Sequence, residues 1–511
     1  MVKTFLKNVF LFSIVVFLIT ACSETGQNPD YDQTFQFSVD FDSTQCKVTL
    51  LSSEKSQQLE PQKEYELPAY EIVNFEVDPK TGYYFHSWEG ISWDNTGKTE
   101  IVIDQDYQIE VAMQELPEKG NLLMLYFATD NNLSDTAAWD IRRMEQDYYA
   151  LTPEQRAGLT VLVLFDMASG PTKLFELGPY NYGYGDTVNS PELNGWFEAG
   201  DDLETDTPET LEHFLKYAYE NYNDYTSRTL ILSGHGNGYN GISARAIAYD
   251  NESSYPDMST EDFQSALNNA GVSKTNLDII GYSMCRSGGF EVYYELRDLT
   301  SYFIASPNIQ YGFWTGRDFL LPFVENTLPA DIAVEVARTS ENRSKYITNP
   351  NALSVVATAG AEECKDALDA LAVELSFYEA SEVESYFTQA AKSEEAAKWS
   401  FNLGLICENL IADDIAVEQA QDLLDLYEPN VLYAWNSADG KSYSGPHLND
   451  ALTISFPEPD NEDGEDIKEI YRQFENDLNC PDLDFSAVDS DGVVEGWVEM
   501  LNYFYSDTYE Y

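Results

Sequence analysis

Two short stretches hold residues able to do covalent chemistry. In "LILSGHGNGYNG", residues 230–241, an apolar run ends in His235, set between Gly234 and Gly236 with Gly238 close behind. In "LDIIGYSMCRSGGF", residues 277–290, a second apolar run ends in Cys285. An imidazole exchanges protons near neutral pH and a thiolate is a strong nucleophile, so together they have the composition of a nucleophile and its base. Glycines beside the histidine free the backbone to turn and let another group approach the main chain closely. Arg286 places a positive charge beside the thiol, and "RSGGFEVYYELRD" reads as a helix whose N-terminus would lie near it; both favour a thiolate. The same residues also read as a tight turn with an incidental histidine and a buried structural cysteine.

What must bring them together is a sheet. "NLLMLYFAT", "LTVLVLFDM", "RTLILSGHG", "LDIIGYSMC" and "SYFIASP" are strand-like runs with few polar residues. Helical patterns separate them: "DTAAWDIRRMEQDYYAL", then "TPETLEHFLKYAYENY" with Thr207 as N-cap and Pro208 in its first turn, then "STEDFQSALNNAG" capped by Ser259 or Thr260 and closed by Gly271. Apolar strands joined by helical crossovers predict an α/β fold with a mostly parallel sheet covered on both faces. Ligands bind such sheets at the carboxyl ends of the strands. His235 and Cys285 each end a strand, one crossover apart, so both are expected on the same rim. There the N–H groups of Gly236 and Cys285 could receive the oxyanion of an acyl-transfer intermediate.

The remaining chain bounds these readings. Its 511 residues are enough for two or three domains with a substantial core. Eighty-nine acidic against 28 basic residues give a formal charge of −61, which repels phosphate backbones and excludes a nucleic-acid partner. "MVKTFLKNVFLFSIVVFLITACSE" sets Lys3 and Lys7 before an apolar stretch that closes on Ile19-Thr20-Ala21-Cys22. That is the layout of a secretory signal peptide, and its last four residues resemble a bacterial lipobox, whose cysteine is lipidated. Residues 1–22 therefore read as a lipoprotein signal and 23–32 as a polar tether. The protein is expected outside the cytoplasm, in a bacterial cell envelope, anchored to a membrane through Cys22; an uncleaved anchor is the other reading.

Residues 33–116 carry short β-rich runs separated by turn residues, a small all-β module. Its "DPKTGYYFHSWEG", followed by "IEVAM", resembles extracellular spacers of the internalin B-repeat type. Residues 117–325 form the α/β domain, and 326–511 read as mainly helical with one β segment, "ALTISFPEP". The six cysteines are too widely spaced for a zinc site or a dense disulfide scaffold, and pairing among Cys364, Cys407 and Cys480 stays open. No P-loop, dinucleotide fingerprint, H-E-x-x-H motif or G-x-S-x-G elbow occurs. His447, in the turn-rich "SYSGPHLND", could approach the site from the C-terminal region.

"LLMLYFATDNNLSDTAAWDI", "VLVLFD", "LILSGHGNGYNG", "LDIIGYSMCRSGGFEVYYELRD" and "FIASPN" occur in this order, with "ALTISFPEP" later. Together they resemble the clostripain family of cysteine peptidases, within the caspase-like clan. The resemblance implies a caspase-like α/β/α sandwich that hydrolyses polypeptides through a Cys-His dyad. His235 matches the family's histidine, Cys285 its nucleophile, and Gly236 with the Cys285 amide its oxyanion positions. Asp130 and Asn131 match the "DNN" after the first strand, as a structural or pocket-forming turn. Where the family has an aspartate two residues before the cysteine, lining the S1 pocket and selecting arginine or lysine, this chain has Ser283. A neutral hydroxyl cannot pair with a buried guanidinium, so strict cleavage after basic residues is not expected. Arg286 could instead favour an acidic P1 residue. Calcium is a candidate cofactor from the resemblance and the acidity, with no legible ligand set. Two readings stay beside the peptidase: a non-catalytic binding or adhesion lipoprotein on the same fold, and a hydrolase using Ser283 or Ser287.

Overall fold

The computed structural model describes residues 33–506 apart from 53–55, 81–82, 92–97, 116–119, 181–187, 194, 197–202, 237–257, 309, 311–314, 316–317, 327, 345–350, 391–399, 437–450, 458–466, 469–470, 472–483 and 487–492. The signal-like segment with Cys22, the tether, Gly238, His447 and Cys480 lie outside the described residues. Contacts divide the chain into two units, Met1–Leu116 and Pro117–Tyr511.

Period-two alternation builds the first unit. Its strands are β1 (Thr34–Asp40), β2 (Cys46–Leu51), β3 (Ser56–Gln58), β4 (Glu64–Pro68), β5 (Ile72–Pro79), β6 (Tyr83–Glu89), β7 (Lys98–Val102) and β8 (Tyr107–Glu115). They form two four-stranded sheets, ordered β4-β1-β8-β6 and β3-β2-β5-β7. In β5, Val73, Phe75 and Val77 are buried while Ile72 and Asn74 are exposed, as one-faced burial requires. Phe37, Val48, Phe75 and Trp88, from both sheets, share one core.

In the second unit the apolar runs become one eight-stranded sheet. Its members are β9 (Gly120–Phe127), β10 (Leu159–Phe165), β11 (Lys173–Glu176), β12 (Tyr225–Ser233), β13 (Ile279–Ser283), β14 (Tyr302–Ala305), β15 (Ala352–Ala357) and β17 (Val431–Asn436); a separate short pair is β16 (Ser400–Asn402) with β18 (Thr453–Ser455). The order is β11-β10-β9-β12-β13-β14-β15-β17. The five strands β10, β9, β12, β13 and β14 are parallel; β11 pairs antiparallel with β10, β15 antiparallel with β14, and β17 antiparallel with β15. Alternate residues enter different cores. Leu230 and Leu232 join a core with Leu211, Phe214, Phe263 and Leu267 of helices Pro208–Asn221 and Thr260–Asn269. Ile231 joins the opposite core with Ile141 of helix Ser134–Ala150 and Val336 of helix Pro329–Ser344. Both faces are thus covered, which is the α/β/α sandwich expected.

The described part of residues 326–511 is mainly helical, as expected, and beyond the one β segment anticipated it also supplies β15 and β17, which complete the sheet at one edge. Their six-residue apolar runs, lying between helical patterns, carry no periodicity that separates strand from buried helix. Among the described residues no helix is long and apolar enough to cross a membrane.

The C-terminal stretch is held to the sheet through the short helix Phe290–Glu295, which follows Cys285. Glu291, buried, accepts the Ser455 N–H at 2.8 Å. Glu295 accepts the Phe485 N–H at 2.6 Å and the Gln264 Nε2–H at 2.8 Å. Burial pushes both carboxyls above the ordinary glutamate range. Their contribution to stability is therefore full at pH below that range and is lost as pH rises through the raised folded values. Glu291→Gln, which keeps an acceptor and cannot ionise, should flatten the decline in urea stability between acid and alkaline buffer. Glu291→Ala should lower stability at every pH by about 1–3 kcal/mol, because the buried Ser455 N–H loses its partner. Urea titrations at several pH values measure both, and a pH profile unchanged by Glu291→Gln would contradict the assignment.

Candidate active site

β12 and β13 are parallel neighbours paired from Thr229↔Ile279 to Ser233↔Ser283. His235 and Cys285 each stand two residues past that last pair. Adjacent strands are about 4.8 Å apart, so the two side chains leave the sheet at the same rim and at the same level. The tips then touch. A Cβ placed on Gly236 would lie 2.8 Å from the Cys285 carbonyl oxygen and 2.8 Å from Met284 Cγ. Only glycine leaves the two strand ends free to approach this closely.

The imidazole of His235 is half-buried, and burial lowers its pKa below 6.5, favouring the neutral, proton-accepting form. Its Nε2 lies 2.7 Å from Asn132 Oδ1. Cys285 is partly exposed, whereas Cys46, Cys364 and Cys407 are buried free thiols. Burial pushes Cys46 up to about 11 and Cys364 and Cys407 up to about 12, which leaves them inert near neutral pH. Cys364 and Cys407, considered above as pairing candidates, are not in disulfides. The Cys285 sulfur meets the main chain of Gln310: it accepts the N–H at 3.3 Å, and its S–H donates to the carbonyl at 3.4 Å. The sulfur thus faces both the donor and the acceptor of one main-chain residue.

The support expected from a helix dipole is not there. Arg286 has φ 51°, in the left-handed region, and its N–H donates to Asn308 O at 2.8 Å. The chain turns at that point, so the helix begins only at Phe290, after Gly289, and has six residues. Six residues make a weak dipole, and they start five residues past Cys285.

The other sequence candidates sit around this pair. Ser283 is 1% exposed at the end of β13. Asp130 and Asn131 are buried at the tip of β9. Asn131 Oδ1 accepts the Leu133 N–H at 2.9 Å and the Asn131 N–H donates to Thr129 O at 2.7 Å, so this residue shapes the turn that opens helix Ser134–Ala150. Sequence reasoning passed over two residues at the site, Asn132 and Gln310. Both follow strands, β9 and β14, that end on the same rim, and that rule would have flagged them. Among the described residues no group of three or more His, Cys, Asp or Glu side chains could hold a metal ion, so no step is assigned to calcium.

The sequence model of the clostripain family matches residues 125–497. Among solved structures, a secreted C11 cysteine protease from Bacteroides thetaiotaomicron in complex with an irreversible peptide inhibitor is 18% identical, with a TM-score of 0.50, over 72% of this chain and 99% of that one. An inactive zymogen C11 protease from Parabacteroides distasonis is 18% identical, with a TM-score of 0.49, over 71% of this chain and 99% of that one. No curated protein matches.

The contact at Gly236 yields a direct test. In Gly236→Ala the new methyl must displace the Cys285 carbonyl, which is main chain and cannot swing aside. Turnover should fall about 100-fold, the scale of an ångström's misplacement of reacting groups. Circular dichroism should stay that of the parent. Unaltered turnover with the same fold would show that the tips need not touch.

Proposed function

The chain belongs to the clostripain family of cysteine-type endopeptidases, and we propose that it cleaves polypeptides with Cys285 as nucleophile and His235 as base. The single observation that carries this assignment is the in-register pair Ser233↔Ser283, which supports both residues at one rim. His235 takes the thiol proton as the sulfur attacks the peptide carbonyl carbon. The N–H groups of Gly236 and Cys285 receive the oxyanion in the tetrahedral intermediate. The C–N bond then breaks, His235 returns its proton to the leaving amine, and a thioester remains. Water, deprotonated by the same imidazole, hydrolyses that thioester and regenerates the thiol.

Ser283 governs the pocket beneath the cysteine in this reading. Its neutral hydroxyl does not neutralise a buried P1 arginine or lysine. Small, polar or apolar P1 residues fit, and Arg286 offers a partner to an acidic one. Lipid attachment at Cys22 places the enzyme in a bacterial cell envelope outside the cytoplasm, where its substrates are polypeptides. A solved protein of similar fold is described as secreted.

A thiol-directed peptide probe should label the wild-type chain at Cys285 and fail on Cys285→Ala; His235→Ala should slow labelling at neutral pH. Labelling at another cysteine, or none in the wild type, would remove the dyad. A P1-scanning peptide library decides specificity, since strong selection for arginine would contradict the role given to Ser283. Because burial disfavours the imidazolium, the acid limb of kcat/KM should lie at lower pH than an ordinary histidine would give. Metabolic labelling with a fatty acid, lost in Cys22→Ser, tests the anchor.

A further inference from the structure

We propose that Asn132 is a positioning residue for the catalytic base: its side-chain oxygen fixes the ring of His235 and the nitrogen on which its proton sits. The inference rests on the reading of His235 as base and adds a residue to it. Asn132 Oδ1 stands 2.7 Å from His235 Nε2. An amide oxygen can only accept, so the bond requires the proton to be on Nε2. A neutral imidazole protonated at Nε2 has its lone pair at Nδ1. The bond thereby selects the tautomer in which Nδ1 is the proton acceptor.

The surroundings of Asn132 suit that task. The turn that bears it is fixed from within by Asn131, through the bonds to Leu133 N and Thr129 O. It is also tied to the segment that bears the histidine. The Ala128 N–H donates to Ser233 O at 3.0 Å, and a Cβ on Gly234 would lie 2.7 Å from Ala128 O. Asn132 and His235 are therefore mounted on two strand tips already bonded to each other, and the side-chain bond is made between fixed supports. The neutrality of the amide matters as well. A carboxylate in its place would stabilise the imidazolium and hold the proton that a base must release. With an amide the ring is oriented without being charged.

Nitrogen-15 NMR of the imidazoles tests this without reference to turnover. The chain has four histidines, and His235→Gln identifies the signal. In the full-length wild type that signal should show the Nε2–H tautomer, and in Asn132→Ala a mixture of tautomers. Alongside, Asn132→Ala should lower kcat about 10- to 100-fold with KM within about twofold, since the lost quantity is orientation of the base and not substrate contact. Asn132→Asp should recover part of the lost kcat while moving the acid limb of kcat/KM to higher pH. The proposal is overturned by an Nδ1–H tautomer in the wild type, or by Asn132→Ala leaving tautomer and kcat unchanged. If the tautomer responds as stated but no variant or wild-type chain cleaves any peptide, the base assignment of His235 has failed and the contact with Asn132 stands on its own.

Discussion

The register between β12 and β13 is the constraint on which the site depends. A shift of one residue would turn every side chain of a strand to the other face and carry the strand tip away from its neighbour. Here both faces are apolar, so hydrophobic alternation alone does not choose the register. Tyr282 supplies what alternation lacks. Its ring packs edge-on against Phe263 at 5.7 Å and against Phe303 at 5.4 Å, between a covering helix and the next strand. A ring so enclosed can occupy one position along the strand. With Tyr282 committed to that core, Ser283 faces the other, and Cys285 follows at a defined distance beyond the last pair.

The same frame separates a partly exposed thiol from buried ones. Cys364 and Cys407 pack among apolar side chains, where desolvation of a thiolate outweighs the weak donors that reach them, such as Asn430 Nδ2 at 3.9 Å from the Cys364 sulfur. Cys285 lies past the end of a strand, where the core stops and main-chain N–H groups are available. The sulfur meets one such donor at Gln310, and the turn at Arg286 keeps the following helix at a distance. The surroundings of Cys285 are therefore set by local main-chain geometry.

Much of this was legible because it was written in apolar runs. β9, β10, β12, β13 and β14 could be read from uninterrupted hydrophobic stretches, and the helix at Thr260 from Ser259, whose side chain and that of Asp262 form a reciprocal cap. The rim position of His235 and Cys285 followed from topology. The failures have physical causes. β11, β15 and β17 are short antiparallel strands at the sheet's two edges, stabilised by tertiary pairing that no local pattern announces. The helix after Cys285 has a helical composition throughout, yet the left-handed Arg286 and the glycines at 288 and 289 delay its start. Asn132 sits beside two other polar residues, and nothing in "TDNN" says which one reaches the histidine. Gln310 acts through its main chain, so its side-chain identity carries no signal.

Main-chain bonding around Cys285 also ties the C-terminal half into the same unit as the strands before it. The loop from Cys285 to Gly289 crosses the rim with no regular structure of its own, so its polar main-chain groups need partners elsewhere. The Arg286 N–H reaches Asn308 O, the Gly288 N–H reaches Ser306 O at 2.8 Å, and Gly288 O accepts the Thr453 N–H at 2.9 Å. There is no space for a side chain at Gly288, where a Cβ would stand 2.9 Å from the Pro307 nitrogen. One wall of this loop thus comes from the end of β14 and the other from β18, more than 160 residues along the chain, with Glu291 fixing β18 through Ser455. A truncated chain ending after the fifth parallel strand would keep both His235 and Cys285 and lose a wall that holds the loop after Cys285. The loop after Cys285 is therefore a property of the whole second unit, even though His235 and Cys285 both lie in the first half of that unit.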